Sequence, residues 1–292
     1  MKIRDGLTSR MFDWINIVLI LLLIIVMVYP FLYVVSASLS NPLAFAKGEV
    51  YLLPKGFTLA AYKKLAVDPT IWLSYYNTIV YTIVQTAISL LLTALFAYPL
   101  SKKRLVARRK ILMFVAFTML FGGGIIPTFL LVKSLGLLNT IWAIVIPSAI
   151  NTWYLFIMRS FFMTSIPEDI EEAAFIDGAN TLAVLLRIVI PLSMPVFATI
   201  GLFTAVAQWN NFFEALIYLT NRELYPLQIH LRNIVISGSS LAEEQVVEGA
   251  EENVSETIKY AVIMFATLPI MLVYPFIQKY FVQGAMVGGI KG

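Results

Sequence analysis

Long apolar stretches alternate with short polar ones along the 292 residues, and no stretch keeps the strict two-residue alternation of a half-buried strand. A helix that crosses a hydrocarbon core needs about 20 apolar residues. Six segments reach that length: 15–35, 78–100, 111–132, 141–162, 188–219 and 258–281. Only helices and closed barrels satisfy their backbone polar groups in lipid, so the pattern predicts an all-α membrane protein. The fourth segment is diluted by Pro147, Ser148, Asn151 and Thr152. The fifth is too long for a simple crossing. At about 1.5 Å per residue it would run roughly 48 Å against a core of about 30 Å. Its first turns are therefore expected to belong to the polar segment before it.

Composition agrees with lipid as the main solvent. The chain is 60% hydrophobic and 13% charged, against about 25% charged in a soluble domain. The formal charge of +4 follows from membrane orientation rather than nucleic acid, since no basic, aromatic-interleaved surface occurs. Segment 101–110 carries Lys102, Lys103, Arg104, Arg108, Arg109 and Lys110 and no acid. The positive-inside rule puts it in the cytoplasm. Six crossings then place both termini and the polar segment after residue 163 on that side. The first span, preceded by Lys2, Arg4 and Arg10, reads as an anchor rather than a cleaved leader. No linker separates domains, so residues 1–292 read as one transmembrane unit.

Several chemistries are missing. There is no cysteine, hence no disulfide or thiolate metal site. The single histidine, His230, lacks partners at metal spacing and is expected in solvent. No phosphate-binding glycine loop, nucleophile elbow or zinc-helix motif is present, which predicts a chain that is not itself an enzyme. Charges avoid the centres of the spans, whereas a proton- or sodium-coupled carrier places ionisable groups there. Energy for transport would have to come from a partner.

The segment 164–190 carries its own helix signals. Ser165 and Glu168 fit a capping box and Pro167 suits a first turn. Gly178 falls where a helix end wants positive φ, Asn180 or Thr181 can cap a second helix, and Pro191 punctuates it. The result is a helix-turn-helix with small Ala173 and Ala174 on an approachable surface. Two longer connections, 36–76 and 221–257, would face outward. Tyr75 and Tyr76 suit the headgroup level. Residues 243–256 hold six glutamates, a solvated loop or a contact for another protein.

Within the fifth span Thr204, Gln208 and Asn211 share one face with Gly201 at 100° per residue. Such a stripe of amides and a hydroxyl suits a sugar, or bonds neighbouring helices. Trp209 and Asn210 complete the run Gln208-Trp209-Asn210 and are kept as flanking candidates. Gly122, Gly123, Gly124 and Pro127 in the third span suit close packing or a bend; Asn151 and Thr152 are minor candidates.

Glu172-Ala173-Ala174, then Gly178, then Ile188-Val189-Ile190-Pro191 resembles the Glu-Ala-Ala loop of ABC-importer permeases, with Ile190 where Leu is usual. The six-span layout, the Gln-Trp-Asn run and the glycine-rich tail 282–292 are similar to the shorter permease of the carbohydrate, maltose-type pairs. The resemblance implies a six-helix type I permease bundle that pairs with a second homologous permease. It further implies cytoplasmic ATPase subunits holding ATP and Mg, an extracytoplasmic solute-binding protein and a sugar substrate. No cofactor is expected in this chain. Glu172, Ala173, Ala174, Asp177 and Gly178 would couple to the ATPase, and Thr204, Gln208, Asn211, Trp209 and Asn210 would line the substrate path. The tail, too glycine-rich for a stable free helix, would insert between the ATPase subunits. Permeases for amino acids, osmolytes or anions, and a non-transporting scaffold, remain alternatives.

Overall fold

A computed structural model describes the backbone of residues 7–237 and 251–287, and side chains over 11–234 and 257–275. The described chain is helical. In order it forms α1 (Leu7–Ser38), α2 (Pro42–Ala46), α3 (Ala60–Val67), α4 (Pro69–Ser101), α5 (Arg108–Leu120), α6 (Ile125–Ser134), α7 (Trp142–Val145) and α8 (Thr152–Ser165). Then come α9 (Glu168–Ile176), α10 (Thr181–Val184), a π turn (Leu185–Val189), α11 (Ile190–Leu192), α12 (Met194–Trp209) and α13 (Phe213–Tyr218). A 3₁₀ turn (Arg222–Leu224) leads to α14 (Leu227–Ser237) and α15 (Glu251–Val287).

The expected spans meet three fates. The first, second and sixth are single helices, α1, α4 and α15, each long and apolar enough to cross a membrane. The third is two helices, α5 and α6, bent by 110°. Gly124, at φ +83°, makes the corner. A Cβ on Gly122 or Gly123 would meet nothing within 4 Å among the described residues, and the run serves as the bend. The fifth breaks at Ser193, with 81° between Thr181–Leu192 and Met194–Trp209. Pro191 has no N–H and its ring crowds the carbonyl four residues back. The π turn just before it, closed by Ile190 N–H to the Leu185 carbonyl, accommodates that loss.

The fourth expected span is not one helix. α7 ends at Val145, Pro147 follows, and α8 starts afresh with the Asn151 carboxamide accepting from the N–H groups of Trp153 (2.9 Å) and Tyr154 (3.3 Å). Asn151 thus serves as a helix cap. At the other end α15 runs through Gly284 to Val287, so the first residues of the expected tail continue the last helix. Residues 288–292 lie outside the described residues, as do 238–250, which hold much of the acidic stretch. Glu252 and Glu256 stand on the first turns of α15, but their side chains are outside the description.

The chain divides into two compact units. One comprises residues 1–69 and 231–268. There α1 is exposed over most of its apolar length, and its end is held by hydroxyls: Ser36 Oγ donates to the Leu52 carbonyl (2.6 Å) and Ser38 Oγ meets Tyr62 Oη (2.9 Å). Tyr260 packs edge-on against Tyr33. The other unit comprises 70–230 and 269–292. Among the described residues, one core joins Ala94, Ala97, Tyr98 and Leu100 of α4 to Leu155, Met158 and Phe162 of α8, Val184 of α10 and Ile200 of α12.

Candidate functional site

Short α9 carries the motif. Glu168, Asp169 and Glu171 lie in its first turn, where carboxylates complement the positive end of the helix. The expected capping box does not form. Ser165 is the last residue of α8 and Pro167 is the N-cap, with no side-chain bond. The C-terminus closes as the sequence predicts: Gly178 has φ +85°. Ala179 N–H bonds the Ala174 carbonyl (2.9 Å) and Gly178 N–H bonds the Phe175 carbonyl (3.1 Å), the glycine-dependent closure that uses up the last free carbonyls. Asn180 then caps α10, its Oδ1 accepting from Ala183 N–H at 2.8 Å.

At 100° per residue the two faces of α9 separate. Glu171, Ala174 and Phe175 face inward. Ala174 and Phe175 pack on the core around Val184, and Glu171 is 4% exposed. Glu172, Ala173, Asp177 and Gly178 are exposed and Ala174 is half-buried. The outward face also presents Ile176, 86% exposed. The sequence does not single out Ile176, because its exposure follows only once the Glu171–Ala174–Phe175 face is known to turn inward.

The basic segment after α4 turns out to be paired. Lys102 Nζ salt-bridges Glu171 Oε1, and Tyr98 Oη donates to Glu171 Oε2 at 3.0 Å. Lys103 Nζ lies 3.1 Å from Glu168 at the surface. The Arg104 guanidinium stands 5.0 Å over the Phe175 ring, a cation–π distance. Three of the six cations in 101–110 therefore meet α9. On the neighbouring flank Arg159 Nε donates to the Leu100 carbonyl at 2.9 Å, occupying an end carbonyl of α4.

The polar residues of the fifth segment are arranged differently from their helical phase. Thr204 and Gln208 are both more than nine-tenths buried on α12, and the Thr204 hydroxyl has no partner among the described residues. A Cβ on Gly201 would stand 3.3 Å from Leu90 Cδ1 and 3.8 Å from Thr86 Cγ2, so this face packs closely on α4. Asn211 lies past the helix end, where phase no longer applies. Its Nδ2 bonds Glu214 Oε2 (2.8 Å) and Gln208 Oε1 (3.3 Å), and its Oδ1 accepts from Glu214 N–H (3.3 Å). Asn210 is exposed and bonds its own helix and Gln228. Trp209 is buried, edge-on to Tyr75 at 5.7 Å, and Tyr75 is half-buried. Trp209 also lines an apolar cavity of about 540 Å³ with Ile83, Phe203, Val206 and Ile270.

A second polar stripe escaped the sequence reading. Thr78, Thr82, Gln85, Thr86, Ser89 and Thr93 recur three and four apart on α4, and Thr78, Gln85, Ser89 and Thr93 are buried. The hydroxyls of Thr82, Thr86 and Thr93 and Gln85 Oε1 have no partner among the described residues. Gln85 Nε2 holds the Ser148 carbonyl at 2.8 Å. Higher up α4, Asn77 donates to the Glu223 carbonyl (2.7 Å) and Tyr81 to the Leu224 carbonyl (2.9 Å), and Thr78 accepts from Leu227 N–H (2.8 Å). His230 is half-buried against the Tyr225 ring, not free in solvent.

Residues 89–287 match the family described as binding-protein-dependent transport system inner membrane component. The chain is 42% identical over 285 residues to the polygalacturonan/rhamnogalacturonan transport system permease protein YtcP of Bacillus subtilis (strain 168), covering 97% of this chain and 99% of that one. It is 30% identical over 301 residues to the maltodextrin transport system permease protein MdxG of the same organism, covering 98% and 99%. Among solved structures it superposes with a TM-score of 0.88, at 37% identity and covering 94% and 98%, on a chain of a bacterial ABC transporter involved in the import of the acidic polysaccharide alginate.

Proposed function

Since the chain belongs to the family of binding-protein-dependent transport system inner membrane components, we propose that it is one of two homologous permeases of an ATP-driven importer for oligosaccharides. Uronate-bearing chains are the first candidates. One relative is named for polygalacturonan and one neighbouring structure for alginate. The observation that carries the reading is the outward face of α9, where Glu172, Ala173, Asp177 and Gly178 are exposed beside a bare Ile176. A nine-residue helix that shows acids, a small residue and a bare isoleucine to solvent, and ends in the exposed Asp177-Gly178 turn, fits an ATPase cleft. The positive-inside rule applied to the basic segment 101–110 supports a cytoplasmic position for that face, and with it loops 36–76 and 221–257 directed toward an outer solute-binding protein.

We place the solute path at the seam where α4 meets α12, which is closely packed here and would part to admit solute. Buried hydroxyls and amides without partners are costly in an apolar surround. Thr82, Gln85, Thr86 and Thr204 each leave such an atom, and sugar hydroxyls, which donate and accept, suit them. The test is reconstitution of this chain with its partner permease, ATPase subunits and binding protein in vesicles. Oligogalacturonides should stimulate ATP hydrolysis and accumulate inside, with maltodextrins and amino acids as comparison solutes. ATP hydrolysis indifferent to every solute would overturn the reading.

A further inference from the structure

Nine residues make a marginal helix in isolation, since helices below about 12–15 residues gain little from their own bonds. The orientation of α9 must come from its attachments. The turn at Gly178 ties it to α10, and Ala174 and Phe175 rest on the core. Apolar contact is non-directional and lets a helix slide. The third attachment is directional: both carboxylate oxygens of Glu171 are engaged, Oε1 by Lys102 and Oε2 by Tyr98. Lys102 also lies 4.8 Å from the centre of the Tyr98 ring, on the same turn of chain. The Glu171 and Lys102 side chains are 5% and 17% exposed, whereas Glu168 and Lys103 are 66% and 75% exposed. Exposed pairs contribute little and weaken in salt, while a sheltered pair resists separation because a lone buried charge is costly. Arg159 of α8 holds the same end of α4 through the Leu100 carbonyl.

We propose that the Tyr98–Lys102–Glu171 node is a positioning link that makes α9 and the end of α4 move as one body, so that force on the outward face of α9 reaches the 33-residue α4. The inference rests on the reading of α9 as the ATPase-docking element. It divides the two adjacent acids by role: Glu172 faces the partner, and Glu171 faces inward and carries the displacement into the membrane helix. Without the node the ATPase would still bind, but its stroke would be taken up as sliding of α9 on the Ala174–Phe175 contact.

The test uses the whole complex in vesicles, measuring ATPase subunits retained and solute moved per ATP hydrolysed. Glu171→Gln should keep the subunits and lower the transport ratio about five- to tenfold, the scale of a lost coupling between sites; Tyr98→Phe should lower it less. The paired variant Lys102→Cys with Glu171→Cys should lose the ratio and regain it when a short bifunctional thiol reagent joins the two, in a chain with no other cysteine. An unchanged ratio in Glu171→Gln, loss of the ATPase subunits, or no recovery on bridging would each overturn the link. A wild-type complex without solute-stimulated hydrolysis overturns the importer reading itself. A coupled wild type beside a coupled Glu171→Gln overturns the link alone.

Discussion

Gly178 and Gly201 stand in the two regions that matter most here, and they are glycine for opposite reasons. Gly178 has φ +85° and open space around it; its backbone needs the residue and its surroundings do not. Gly201 sits in an ordinary helical turn with Leu90 and Thr86 against it; its backbone would accept any residue, and its surroundings leave room for little more than a methyl group. The motif around Gly178 is therefore a local device, closed by bonds between residues a few positions apart. The α12 face around Gly201 is a contact, defined by a helix more than a hundred residues earlier.

The sharpest way to break the comparison is Gly178→Val. A side chain at positive φ costs about 1–2 kcal/mol, and a redirected α10 would misalign the outward face of α9. The variant should insert at normal abundance and lose the ATPase subunits in pull-down; full retention with full transport would mean that the turn is not needed for docking. Gln208→Ala comes next. If the buried α12 stripe meets solute, transport should fall severalfold with complex yield preserved. A fallen yield with normal transport per complex would make it a helix contact instead. A single cysteine at position 208 should react with a water-soluble thiol reagent in at least one nucleotide state.

Asn180→Ala removes one cap bond from α10 and should cost about 1 kcal/mol, seen as a modest drop in the melting temperature of the purified complex. The smallest effect is expected for Gly201→Ala. Alanine gains about 0.8–1 kcal/mol in helix propensity, and the 3.3 Å contact falls on the far end of the Leu90 side chain, which can yield. Stability should stay nearly level, in contrast to the Gly178 variant. A large loss at Gly201 would show that the α4–α12 contact is rigid and dry.

What could be read from the chain alone follows the same division. The helical membrane class, the three unbroken spans, the Gly178 turn and the Asn180 cap were legible because each depends on length, period or bonds within about six residues. The broken fifth segment was half legible: its excess length was plain, but the place of the 81° bend was set by Pro191 and the π turn together. The capping box at Ser165 failed because α8 continued through that residue, a choice made by core packing of Phe161 and Phe162. Asn211 left the helix that carries Thr204 and Gln208 because α12 stopped two residues earlier, and it turned to Glu214 while keeping a bond to Gln208.

Composition and spacing by themselves determined that this chain is a helical membrane protein bearing a short capped helix-turn-helix, since hydrophobic length and backbone geometry are properties of contiguous residues. Which of the adjacent acids Glu171 and Glu172 faces inward was left to the tertiary structure. The pattern along α9 permits either face to turn toward the core. The choice fell to Tyr98 and Lys102, brought there from α4 and the turn after it, because a buried carboxylate persists only where partners for both its oxygens arrive from elsewhere in the fold.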